Sequence, residues 1–76
     1  MAVLVGFEAK TFTFEEGKTV SGFYLHTEEK RNGVTGMSVE RVFLSQQKLD
    51  GYGPRLGDDV TIYYNRFGKP QGVQHH

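Results

Sequence analysis

Apolar and polar residues alternate along most of this chain, which is the period of half-buried strands rather than of helices. Val3, Val5 and Phe7 share one face against Leu4, Gly6 and Glu8, and after Ala9 and Lys10 the alternation resumes with Phe12 and Phe14 against Thr11 and Thr13. This predicts one long first strand that curves at Gly6 or at Ala9 and Lys10. "EEGK", residues 15–18, is a turn in which Gly17 is free to take positive φ. A second strand, about Thr19 to Thr27, sets Ser21, Phe23 and Leu25 on the core side and Val20, Gly22, Tyr24 and His26 on the other. The polar stretch 28–36 contains Asn32-Gly33, a strong hairpin signal.

A third strand, about Met37 to Leu44, has Met37, Val39, Arg41 and Phe43 on one face and Ser38, Glu40, Val42 and Leu44 on the other. Neither face is cleanly polar, so a bulge is expected there. Ser45 stands in an N-cap position before Gln46 to Leu49, and Gly51 stops that short helix. A fourth strand, Val60 to Tyr64, turns Val60, Ile62 and Tyr64 inward and Thr61 and Tyr63 outward, and after the turn at Asn65 to Lys69 a last strand begins near Gln71. Pro70 lacks the N–H that a ladder interior needs, so that strand belongs at an edge. His75 and His76 read as a ragged end outside it.

Strand, strand, strand, short helix, strand, strand is the element order of the oligonucleotide/oligosaccharide-binding (OB) barrel. The expected fold is therefore all-β: a five-stranded antiparallel OB-like barrel with one short helix between strands 3 and 4, and an SH3-like barrel as the alternative. Its core should contain Val5, Phe7, Phe23, Leu25, Val39, Val42, Leu49, Val60 and Ile62. At 76 residues there is room for one domain and one core. With no cysteine, disulfides, thiolate metal sites and thiol nucleophiles are all excluded, and a reducing, cytoplasmic setting is expected. The opening apolar run, Ala2 to Phe7, is too short for a secretory or membrane segment and reads as structure, so no membrane partner is expected.

No phosphate loop, metal-ligand spacing or nucleophile with matching base is visible, so neither an enzyme, a cofactor nor a small-molecule substrate is expected. His26 reads as a surface residue, and Asp58-Asp59 as turn residues rather than a catalytic pair. Nine Lys plus Arg balance nine Asp plus Glu, and net charge therefore does not favour nucleic acid. The local distribution does. In "YYNRFGKP", residues 63–70, Phe67 stands at a turn between Arg66 and Lys69, where an apolar ring gains no burial.

Single-stranded nucleic acid is held by basic groups that follow its phosphates and by aromatic faces on which bases stack. Tyr24, Tyr63 and Phe67 are the aromatics placed outside the core, and Lys30, Arg31, Arg41, Arg66 and Lys69 are the basic groups nearest them. Against this stand three plain readings. Phe67 is a lid folded over Tyr64, Tyr24 and Tyr63 are a stabilising cross-strand pair, and Lys30-Arg31 after Glu28-Glu29 is a solvated hairpin tip. A protein–protein interaction module, docking a peptide or dimerising at a strand edge, is the functional alternative.

"FTFEEGKTVSGFYLH", the polar hairpin, "SVERVFLS" and "LGDDVTIYYNRFGKPQGV" together resemble the small OB-fold single-stranded-DNA-binding proteins of filamentous phages and related mobile elements. The resemblance covers most of the chain as a pattern of strands and loops. It implies a homodimer that coats single-stranded DNA, or RNA, without sequence preference. It also places Tyr24, Lys30, Arg31 and Arg41 on the binding strand and hairpin wing. This chain departs from the pattern in having Glu28 and Glu29 in the wing, and no aromatic there.

Overall fold

The computed structural model describes residues 1–76. Its elements in order are β1 (Ala2–Thr13), β2 (Thr19–Glu29), β3 (Ser38–Ser45), the short helix α1 (Gln46–Leu49), β4 (Asp59–Tyr64) and β5 (Pro70–His75). The five strands form one antiparallel sheet in the order β3-β2-β1-β4-β5. β5 runs through His75, and the His76 N–H donates to the Asp59 carbonyl at 2.9 Å, so the histidines continue the sheet. No helix is long and apolar enough to cross a membrane.

The turns follow from their residues. In the β1–β2 turn Gly17 has φ 80°, and its N–H donates to the Phe14 carbonyl at 2.9 Å. At the start of α1 the Lys48 N–H donates to Ser45 Oγ at 3.4 Å, and Asp50 leaves the helix in the left-handed region at φ 49°. Only a few residue types accept that conformation readily, Asp and Asn among them.

The expected barrel closure is not met. β3 and β5 approach to within 8 Å between Cα atoms, but no ladder joins them and the sheet stays open along this seam. Two local features oppose a ladder. Pro70 has no N–H to give, and its carbonyl accepts from Lys48 Nζ at 3.3 Å. Side chains bridge the seam instead, as Tyr64 Oη donates to Glu40 Oε2 at 2.7 Å.

The core is small: Leu4, Leu25, Leu44 and Leu49 pack together, with Phe23, Val42, Tyr52, Ile62 and Val73 against them, and Val60 is also fully buried. Three expected core residues are outside it. Val5 is 45% exposed because it is the extra residue of a bulge: Leu4 pairs with Thr27 and Gly6 with His26, leaving Val5 unopposed. Leu4 takes the inward position, and the bulge reverses the alternation after it, so that Phe7 also faces inward. Phe7 returns to the inner face and meets Phe23 edge-on at 5.9 Å, but it is 40% exposed because β4 pairs only with Ala2 and Val3 and does not reach it. Val39 is 65% exposed, paired with Glu28 on the outer face, while Val42 and Leu44 of the same strand face inward. The bulge expected in β3 is absent; register shifts occur in β1 and at Tyr63 and Tyr64 of β4.

Truncating a fully buried leucine removes packing that so small a core cannot replace. Leu25→Ala and Leu44→Ala should each cost about 2–5 kcal/mol in urea unfolding, a large part of the stability of a small domain. Val39→Thr should change it by less than about 0.5 kcal/mol. Equal losses at Val39 and Leu44 would overturn this placement of the core.

Candidate nucleic-acid interface

Pairing of β2 with β3 sets Tyr24 opposite Phe43 and His26 opposite Arg41, all on the outer face, away from the leucine core. The Arg41 guanidinium lies over the Tyr24 ring, 4.6 Å from its centroid. Phe43 meets Tyr24 at 5.4 Å and Phe12 of β1 at 5.1 Å, both edge-on. Edge-to-face contacts of this kind keep rings in fixed orientation. The result is a half-buried aromatic patch with a cation on its surface.

The β4–β5 turn is built around Asn65. Its Oδ1 accepts from the N–H groups of both Phe67 and Lys69, each at 2.9 Å, while its own N–H donates to the Lys69 carbonyl at 2.8 Å. Gly68 supplies the positive φ, 79°. The turn is therefore held by its backbone and does not need Phe67 as a packing group. Phe67 is 72% exposed, with the Arg66 guanidinium 4.9 Å from its ring centroid, so it is no lid over Tyr64. A groove lined by Arg41, Phe43, Tyr64, Gly68 and Pro70 runs along the open seam and links the outer patch to this turn.

Arg41, with Tyr24 under its guanidinium, lines this groove together with Glu40, and Gly68 brings to its other end the turn that carries Arg66, Phe67 and Lys69. The structure does not bring Tyr63 there. The Tyr63 hydroxyl donates to the Gln74 side chain, and its ring lines a separate depression with Tyr52 and His75. Tyr24 and Tyr63 are therefore no cross-strand pair. Arg31 is engaged: its Nε donates to Glu29 Oε1 at 2.9 Å and its Nη2 to Glu40 Oε1 at 3.1 Å. Lys30 beside it is exposed and forms no ion pair.

Phe12, Phe43 and Tyr64 belong to this surface and were not foreseen in it. Phe43 was within reach, because it has the parity of Arg41 and lies opposite Tyr24. Phe12 was hidden by the break in alternation expected at Ala9 and Lys10, since β1 pairs regularly with β2 from Gly6 to Thr13, and Tyr64 by its inward parity with Val60 and Ile62, which at the end of β4 leads to the seam. No group of three or more His, Asp or Glu side chains is arranged to hold a metal ion. Comparison of the chain with protein-family models, with curated proteins and with solved structures finds no match.

Two tyrosines mark the polar joints of the molecule. Burial, then the hydrogen bond to Glu40, pushes the Tyr64 hydroxyl up to about 12. Burial and the 2.8 Å bond to Asp58 do the same for Tyr52, also to about 12. A group whose folded pKa is raised contributes stability that is fully present below its unfolded value, about 10 for tyrosine, and is lost as pH rises through the folded one. Melting temperature should therefore fall between about pH 10 and pH 12, and the drop should be smaller in the Tyr52→Phe/Tyr64→Phe double variant. An identical alkaline drop in the double variant would show that these two hydroxyls are not its source.

Proposed function

We propose that this chain is a non-catalytic module that binds single-stranded nucleic acid, DNA or RNA, without sequence preference, on an OB-type scaffold. The strand order, the helix between β3 and β4 and the close but unpaired β3 and β5 support that scaffold, since OB barrels are five-stranded and partly open. An SH3-like reading puts its helical turn between the last two strands, where this chain has only the tight turn at Asn65.

The observation that carries the proposal is Phe67, an exposed ring on a turn that packs without it, between two unpaired cations and next to Gly68, which lines a groove shared with Arg41 of the Tyr24–Arg41 stack. Bases stack on the exposed rings, and Arg41, Arg66 and Lys69 neutralise phosphates along the same path. Neutral net charge does not oppose this, because part of the acidic charge is spent inside the protein, with Glu29 and Glu40 both paired to Arg31.

Fluorescence anisotropy of a labelled oligothymidine tests the reading. Phe67→Ala should weaken binding by about 1–3 kcal/mol while leaving the melting temperature unchanged. Arg66→Ala and Lys69→Ala should each weaken it and lower the salt slope by about 0.7, one phosphate apiece. Tyr63→Ala, on the separate depression, should bind as wild type does. Absence of saturable binding by the wild type at low salt sinks the proposal.

A further inference from the structure

β1 carries an edge that nothing covers. β4 pairs only with Ala2 and Val3, and the remaining backbone bonds on that side end at Leu4, whose N–H donates to the Asp58 carbonyl and whose carbonyl accepts from the Gly57 N–H, both at 2.8 Å. From Gly6 to Thr13 the strand pairs with β2 alone. Alternate N–H and C=O groups along this stretch therefore point into open space, and such an edge is a template for another strand.

The geometry points to a two-fold dimer in which the free β1 edges of two copies pair antiparallel with Ala9 at the dyad. A two-fold axis perpendicular to the sheet keeps equivalent faces together, so residues can oppose each other only when they lie on the same face. Two registers, centred on Ala9 and on Lys10, use most of the edge. Centring on Lys10 sets Lys10 against Lys10, and like charges directly opposite are destabilising. Centring on Ala9 sets each Glu8 against the Lys10 of the other copy, on the outer face.

The same register meets one further requirement. Pairing stops at Leu4, whose backbone is already engaged, and there Phe14 of one copy arrives beside Leu56 of the other, 54% and 67% exposed in the monomer. A peptide of unrelated sequence would leave Glu8 and Lys10 without partners, so the self-complementary order of charges selects a second copy of this chain. This inference does not depend on nucleic-acid binding.

The experiment uses the exposed charges, whose exchange leaves the core intact, and a thiol placed at the dyad. Sedimentation equilibrium should show a reversible dimer of the wild type. Glu8→Lys or Lys10→Glu alone should weaken it about tenfold or more, because both symmetric contacts turn repulsive, and the double exchange should restore it. The chain has no cysteine of its own, so Ala9→Cys should form a covalent dimer on oxidation, while Thr13→Cys, far from its counterpart in this register, should not. A wild type that stays at monomer mass at its highest soluble concentration overturns the proposal. So does a dimer that neither charge exchange weakens, or one that cross-links equally at Thr13.

Discussion

The backbone bonding that joins the two halves of this molecule is confined to Ala2, Val3 and Leu4. Ala2 and Val3 pair with Val60 and Asp59, and Leu4 exchanges bonds with Gly57 and Asp58. The Leu4 side chain is fully buried in the leucine cluster at the same point. One short segment therefore supplies both the ladder that attaches β4 and β5 and a central piece of the core. The bulge at Val5 follows at once and allows both. It bends β1 away from β4 and lets both Leu4 and Phe7, three residues apart, face inward, which strict alternation would not do.

Once β1 has left β4, it continues beside β2 with β3 on the far side as far as Gly22, and Thr11–Thr13 with Thr19–Ser21 project beyond as a two-stranded ribbon, so the molecule is long for its size. Its extents are 44 × 26 × 18 Å, and its Cα radius of gyration is 13.3 Å. A compact chain of this length has about 11 Å. The side of β1 that β4 leaves uncovered has little to bury against, which is why Phe7 stays exposed, while Phe12 finds its partners on the outer face, in Tyr24 of β2 and Phe43 of β3. The open seam at the opposite edge has a separate origin in Pro70 and in the side-chain bridge from Tyr64 to Glu40.

The sequence was legible where local chemistry decides. The five strands, the Ser45 cap, the turn glycines and the edge position of β5 were all readable from short motifs, because each depends on neighbours within a few residues. Leu25, Leu49 and Val60 were assigned to the core correctly for the same reason: their strands or helix are regular. The misses come from register. A single inserted residue at Val5 exchanged Val5 for Leu4 in the core, whereas in β4 the alternation holds and the extra residue of the β4–β5 ladder is Gln71 of β5. Alternation cannot reveal a bulge whose two sides are both apolar, as Leu4 and Val5 are. The state of Arg31 was also beyond reach, since Glu40, one of its partners, lies nine residues away on another strand.

Arg31 also shows why formal charge describes this surface poorly. Glu29 holds both Arg31 and the chain's amino terminus, and Glu40 holds Arg31 and the Tyr64 hydroxyl, so a continuous polar chain runs from Met1 across β2 and β3 to β4. Each of these contacts is partly exposed and weak alone, but together they hold β3 against β4 where the ladder is missing. The acids in that chain are committed to shape. Of the eight Lys and Arg left outside it, none has a carboxylate partner, and two, Arg41 and Arg66, lie over aromatic rings. A guanidinium on a ring face keeps its donors available at its rim. The seam that lacks backbone bonds is thus lined by Arg41, Phe43 and Tyr64 with Glu40 beside them, its carboxylate held by Arg31 and the Tyr64 hydroxyl while Arg41 has no carboxylate of its own.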